Sequence, residues 1–211
     1  MAGRRLFVKV CGITSVEDGR LAAEAGADGV GFVFWPQSPR FVDPARARDI
    51  GDALPAAVVR VGVFVDAAPE EVVRVADEAR LDVLQLHGNE APEDLPRLPR
   101  RTWKAIRVGP GFVAADALRY EGRAAGLLLD TRSAEAPGGT GRTFDWALAA
   151  DVRRRASFLM LAGGLDALNV RAAIRAVGPD GVDVSSGVEL EPGRKDPEKV
   201  RAFLRAAREA S

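Results

Sequence analysis

Residues 7–34, FVKVCGITSVEDGRLAAEAGADGVGFVF, carry the pattern on which the fold prediction depends. The segment begins with a short β-branched run, continues through an Ala- and Glu-rich amphipathic stretch opened by Ser15, and ends in a second apolar run. A strand, a helix and a second strand in this order indicate a parallel sheet, because parallel neighbours need a crossover connection.

The same alternation continues along the rest of the chain. Eight short apolar runs predict strands that are buried on both faces. They are Phe7–Val10, Gly29–Phe34, Val58–Val65, Val83–Leu86, Thr102–Val108, Gly126–Leu129, Phe158–Leu161 and Val182–Val184. The segments between several of them begin with a capping Ser or Asp or an early Pro and predict helices. These are Ser15–Ala25, Pro44–Ala53, Pro69–Ala79, Asp166–Ala176 and Pro197–Ala210.

Eight strand signals favour a closed barrel over an open doubly wound sheet, which more often has about five to seven strands. The predicted fold is therefore α/β, a single (βα)8 TIM barrel in one domain covering residues 1–211. Helical periodicity is weaker over 91–98 and 111–120, where Pro and Gly interrupt it. We expect irregular structure in at least one of these two segments.

Composition narrows the classes of function. The chain has 30 Lys and Arg against 30 Asp and Glu, so it has no general attraction for nucleic acid or for an anionic membrane. No apolar run approaches the roughly 20 residues that a membrane span needs. One cysteine and one histidine cannot form an internal disulfide or a Cys/His zinc site. We expect a cytoplasmic protein without a metal, as a monomer or a homodimer.

Polar residues at the carboxyl ends of the strands are the first candidates for chemistry in such a barrel. Lys9 and Cys11 lie on one face of the first strand, and Asp130 follows three leucines in the sixth. Desolvation by those leucines would favour the protonated carboxyl. The alternatives are that Cys11 is a small buried apolar residue and that Asp130 caps a helix or forms a salt bridge.

Glycine-rich turns follow the seventh and eighth strands. They contain Gly163 and Gly164 in the first turn, and Ser186 and Gly187 in the second. Backbone N–H groups in such turns converge on phosphate oxygens, and this pair of strands often forms the phosphate site of a barrel. Two such turns together favour a phosphate site over simple chain reversals.

Other candidate residues lie near the same end. Arg40 has a guanidinium suited to carboxylate recognition, although a solvated surface arginine is the ordinary alternative. His87 ends the fourth strand and Asp183 interrupts the apolar eighth strand. The Gly-rich segment 132–146 is the best candidate for a lid, with a plain surface loop as the alternative.

Ordered motifs across residues 8–196 make the chain closely similar to the phosphoribosylanthranilate isomerase family of tryptophan biosynthesis. They are VKVCGIT (8–14), GFVFWPQSPR (31–40), LQLHG (84–88), LLLDT (127–131), GGTGRTFDW (138–146), LAGGL (161–165), VDVSSGVE (182–189) and PGRKD (192–196). The resemblance implies a cofactor-free aldose–ketose isomerase that performs an Amadori rearrangement of a phosphorylated sugar.

The resemblance also implies roles for particular residues. Asp130 would be the general acid that opens the sugar ring, and Cys11 the general base that removes a proton from C2. Arg40 would hold the anthranilate carboxylate, with Gly163, Gly164, Ser186 and Gly187 around the phosphate. From its shared face we infer that Lys9 lowers the pKa of Cys11. The roles of Asp183 and His87 stay open.

Two other classes of function compete with this interpretation. In a cysteine hydrolase or transferase, His87 would activate Cys11 across the barrel mouth. In a phosphosugar-binding barrel without catalysis, Cys11 and Asp130 could be replaced with little effect.

Overall fold

The chain folds into a closed eight-stranded parallel barrel, in a computed structural model that describes residues 5–131 and 146–210. Each strand pairs with the next along the chain, and the eighth pairs with the first. The strands are β1 (Phe7–Cys11), β2 (Gly29–Val33), β3 (Val59–Phe64), β4 (Val83–Leu86), β5 (Arg101–Val108), β6 (Gly126–Thr131), β7 (Leu159–Ala162) and β8 (Gly181–Val184). The eight predicted strands and the closure of the barrel are confirmed.

Helices follow the strands along the described ranges. They are α1 (Val16–Glu24), α2 (Pro44–Asp52), α3 (Pro69–Glu78), α4 (Ala114–Leu118), α5 (Trp146–Arg153), α6 (Val170–Val177) and α7 (Pro197–Glu209). The capping serine predicted for the first helix is confirmed, because Ser15 accepts a backbone N–H at the start of α1. Asp43 and Asp196 cap α2 and α7 in the same way, one residue before the prolines at which those helices were predicted to begin. None of these helices is long and apolar enough to cross a bilayer.

The sixth helix begins later than predicted, at Val170 instead of Asp166. The Asp166 carboxylate accepts the backbone N–H groups of Leu168 and Asn169, at 2.8 and 3.0 Å. This side chain stabilises a turn before the helix, because aspartate competes with helical hydrogen bonding in this way. The start predicted at Asp166 was therefore wrong.

One irregular connection was predicted, and one short hairpin was not. Segment 91–98 forms only a single 3-10 turn, Leu95–Arg97, as expected for an irregular connection. An antiparallel hairpin of β9 (Glu189–Glu191) and β10 (Arg194–Lys195) follows the eighth strand. No apolar alternation marks this short hairpin in the sequence, although it carries charged residues to the barrel mouth.

The apolar core has two layers, one inside the barrel and one between barrel and helices. At the amino-terminal end of the barrel, Trp103 contacts Phe7 edge to face and stacks with Phe158. These three rings fill the end opposite the mouth. The polar strand ends are therefore the part of the barrel interior left open to a ligand.

Candidate active site

A cavity of about 340 Å³ lies at the carboxyl-terminal mouth of the barrel. Its wall includes nine of the ten residues proposed from the sequence. They are Cys11, Arg40, His87, Asp130, Gly163, Gly164, Asp183, Ser186 and Gly187. The candidate acid, the candidate base and both glycine-rich turns therefore share one cavity.

Cys11 ends β1 and lies against Val33 and Val63, with only 8% of the residue exposed. Burial raises the pKa of the Cys11 thiol, and the nearby Lys9 ammonium offsets only part of this effect. The expectation of a lowered pKa is therefore corrected: Lys9 acts in the expected direction, but desolvation dominates.

Lys9 is fully buried and lies outside the cavity wall, so direct contact with substrate is not supported. It is the register partner of Asp183 on the adjacent strand, and its Nζ lies 2.8 Å from Asp183 Oδ1. Burial alone would lower the pKa of Lys9, but the neighbouring Asp183 carboxylate raises it. Burial also raises the pKa of Asp183, against the opposing effect of Lys9. The pair brings a cation close to the thiol.

Asp130 lies opposite a histidine and is more exposed than expected. Its side chain is 24% exposed, and its Oδ2 lies 2.9 Å from His87 Nε2. Only Leu128 shares its face of the strand and joins the inner core, whereas Leu127 and Leu129 pack toward the helices. The expectation that three leucines desolvate this carboxyl is therefore wrong.

Both ring nitrogens of His87 are engaged, one by Asp130 and the other by Gln85 Nε2 at 3.3 Å. With the Gln85 amide donating to Nδ1, the remaining proton lies on Nε2 and points at Asp130. His87 contacts the candidate acid and not the thiol. The Cys11–His87 pair that a cysteine hydrolase would need is not formed.

The two glycine-rich turns are packed directly against each other. Gly163 and Gly164 have positive φ angles of 79° and 64°, which side chains rarely adopt. Gly187 is the middle residue of a 3-10 turn, Ser186–Val188, and a Cβ at Gly187 would collide with the backbone carbonyl of Leu165. Backbone conformation disfavours a side chain in the first turn and lack of space disfavours one at Gly187, so backbone groups line this side of the cavity.

Arg40 is held by a carboxylate that the sequence interpretation did not single out. Its Nε and Nη2 donate to the two oxygens of Glu189, at 2.9 and 2.6 Å. Lys195 Nζ, also buried, donates to Glu189 Oε1 at 2.8 Å and to the Cys11 carbonyl at 2.6 Å. Glu189 and Lys195 lie in the motifs VDVSSGVE and PGRKD, just after the eighth strand. Their position there was the signal by which the sequence could have identified them as site residues.

In the described ranges, no group of three or more His, Cys, Asp or Glu residues could hold a metal ion. The candidate lid, residues 132–146, lies outside those ranges except for Trp146, which begins α5. The ionisable groups in the cavity wall are a thiol, two carboxyls, an imidazole and the guanidiniums of Arg40 and Arg107. Such a set can move protons and bind an anionic substrate.

Comparisons with known proteins identify the family. A family model described as N-(5'phosphoribosyl)anthranilate (PRA) isomerase matches residues 8–206. The chain is 51% identical over 203 residues to N-(5'-phosphoribosyl)anthranilate isomerase of Azotobacter vinelandii. The aligned region covers 96% of this chain and 97% of the relative.

Two solved structures are similar over nearly their whole length. Phosphoribosyl anthranilate isomerase from Thermotoga maritima has a TM-score of 0.91 and 44% identity, and covers 97% of this chain and 99% of that chain. The second is such an isomerase in complex with reduced 1-(o-carboxyphenylamino)-1-deoxyribulose 5-phosphate. Its TM-score is 0.88 and its identity 42%, with the same coverage.

Proposed function

The chain belongs to the phosphoribosylanthranilate isomerase family, and from this premise we propose that it converts N-(5-phosphoribosyl)anthranilate into 1-(2-carboxyphenylamino)-1-deoxyribulose 5-phosphate. It is an isomerase of tryptophan biosynthesis. The observation that carries the proposal is the shared cavity of Cys11, Asp130 and the two glycine-rich turns. One barrel domain acts without metal or organic cofactor, in the cytoplasm.

In the first step Asp130 acts as the general acid. It protonates the furanose ring oxygen, the bond between that oxygen and C1 breaks, and a Schiff base forms between C1 and the aryl nitrogen. His87 supports this role because its Nε2 lies 2.9 Å from Asp130 Oδ2 and leaves the other oxygen available to substrate. We assign His87 as the residue that positions the acid.

In the second step Cys11 acts as the general base on C2. The thiolate takes the C2 proton, and the electron pair moves toward C1 and neutralises the protonated Schiff base, giving an enolamine. The hydroxyl proton of the enolamine then goes to the Asp130 carboxylate and the Cys11 thiol gives a proton to C1, which forms the ketone and restores both residues. Burial raises the pKa of Cys11 and keeps the resting thiol largely protonated. The Lys9 ammonium and the new cation on the substrate act in the opposite direction and favour the thiolate.

The substrate's two anionic ends have separate sites in this proposal. The phosphate lies in the backbone-lined side formed by Gly163, Gly164, Ser186 and Gly187, and the anthranilate carboxylate lies at Arg40. Asp183 lies between acid and base and holds Lys9 near the thiol.

Freshly made phosphoribosylanthranilate, followed by the fluorescence of its anthranilate group, tests the proposal. We expect turnover by the unaltered protein. We also expect losses of orders of magnitude in Cys11→Ala and Asp130→Asn, with binding of phosphorylated product retained. A binding barrel without catalysis predicts no turnover, and equal loss of binding and turnover would contradict the assigned roles.

A further inference from the structure

Glu189 and Arg40 form a two-point ion pair at the edge of the cavity. Arg40 Nε lies 2.9 Å from Glu189 Oε1, and Arg40 Nη2 lies 2.6 Å from Glu189 Oε2. The Glu189 side chain is almost fully buried. A pair of this geometry fixes the plane of the guanidinium, because two parallel hydrogen bonds allow little rotation.

The pair leaves one edge of the guanidinium open. A guanidinium has five N–H donors, and Glu189 uses one on Nε and one on Nη2. In the part of the chain that the structure describes, Arg40 Nη1 has no protein acceptor, and Arg40 forms part of the cavity wall. The Nη1–Nη2 edge can therefore accept a second carboxylate while the first stays bound.

Lys195 fixes the position of Glu189 from the other side. Its buried ammonium donates to Glu189 Oε1 and to the Cys11 carbonyl. Burial alone would raise the pKa of Glu189, but the neighbouring Arg40 and Lys195 outweigh it and lower the pKa. Two cations then surround one anion, and the excess positive charge matches one carboxylate on the ligand.

We infer that Glu189 is a positioning residue that acts through Arg40 and selects ligands carrying a carboxylate on the aryl group. It turns the open edge of the guanidinium to the cavity, and Lys195 holds it in place. The inference rests on the proposed function for the identity of the ligand. It does not require that the protein catalyse the reaction.

Binding of two matched ligands tests the inference without relying on turnover. The first is reduced 1-(2-carboxyphenylamino)-1-deoxyribulose 5-phosphate, and the second is the same molecule without its aryl carboxylate. Calorimetry gives the Kd of each for the unaltered protein and for Glu189→Gln. We expect the carboxylated ligand to bind at least about tenfold more weakly to the variant, because a charge-assisted contact is lost. The ligand without a carboxylate should bind equally to both.

Two further variants separate positioning from general damage. Glu191→Gln makes the same change two residues along the hairpin, at an exposed glutamate, and should bind both ligands normally. In an Arg40→Ala background, Glu189→Gln should have no added effect on either ligand, because the residue acts through Arg40.

The outcomes are distinct for the inference and for the proposed function. Equal weakening of both ligands by Glu189→Gln, or no weakening of either, overturns the inference. So does a full additional effect in the Arg40→Ala background. Discrimination between the ligands by an unaltered protein that does not turn over phosphoribosylanthranilate would support the inference and reject the proposed function.

Discussion

Substitution of Gly187 by alanine tests the phosphate site by disturbing only backbone contacts. The added Cβ would lie 3.0 Å from the Leu165 carbonyl carbon and 3.3 Å from the Asp166 Cα, and closer still to the Leu165 oxygen. Every atom in the collision belongs to the backbone, so no side chain can rotate away. The two turns must separate, by about 1 Å to restore a normal contact.

The size of the effect follows from this displacement. Overpacking of a tight site costs about 1–3 kcal/mol of stability. In a domain of this size, that corresponds to a fall in Tm of about 2–4 °C for each kcal/mol. A shift of about 1 Å in the groups that hold a substrate can lower turnover by roughly 100-fold. We expect the loss in binding and turnover to exceed what the loss of stability explains.

The assay compares Gly187→Ala with Gly109→Ala, whose added Cβ meets no atom within 4 Å. Thermal unfolding gives stability, and calorimetry with inorganic phosphate and with reduced product gives binding. Gly187→Ala should weaken both ligands, and Gly109→Ala should weaken neither. Unchanged phosphate binding by a folded Gly187→Ala protein would refute the assignment of these turns to phosphate.

Three further predictions concern charged groups of the site. The alkylation rate of Cys11, the sole cysteine, measured by mass spectrometry, should rise through alkaline pH as the thiol ionises. Lys9→Met should move the midpoint of this pH profile to higher pH, and an unchanged midpoint would contradict the role of the Lys9 ammonium. His87→Ala should lower kcat by about tenfold, less than Asp130→Asn; equal losses would show that His87 does more than position the acid. Neighbouring cations lower the pKa of Glu189 against the effect of burial, so the stabilisation from its carboxylate is present above the ordinary glutamate pKa and is lost as pH falls through the lowered value. The stability of Glu189→Gln, measured by acid denaturation, should therefore depend less on pH than that of the unaltered protein. Identical pH profiles for the two proteins would contradict this prediction.

The barrel could be predicted from the sequence because its strands and helices are marked by patterns among residues that are close together in the chain. Each strand is a short apolar run between Gly-, Pro- or Ser-containing segments, and three helices begin after a residue whose side chain caps them: Ser15, Asp43 and Asp196. Asp166 is an exception: its carboxylate also accepts a nearby backbone N–H, but this hydrogen bond stabilises a turn before the helix and not the first turn of the helix itself. Side-chain alternation also predicted that Lys9 and Cys11 share a face.

Contacts between distant residues could not be predicted in this way. Arg40 and Glu189 are 149 positions apart in the chain and meet only because the barrel closes. The pKa of Cys11 depends on burial, which raises it, and on the charges of Lys9, Asp183 and Lys195. Side-chain alternation identifies Lys9 as a neighbour but does not show which of these effects is largest. The prediction that three leucines desolvate Asp130 was wrong for a simpler reason, since side-chain alternation along the strand already turns Leu127 and Leu129 away from it.

The resting state of the thiol bears on the order of the proposed steps. Burial disfavours the Cys11 thiolate, although Lys9 is fixed nearby by Asp183. Ring opening at Asp130 creates a cation on the substrate next to the carbon that must lose its proton. This cation makes the C2 proton more acidic and favours the thiolate at the same time. Action of the acid thus creates the conditions for the base, and a weakly ionised thiol suits a step that comes second.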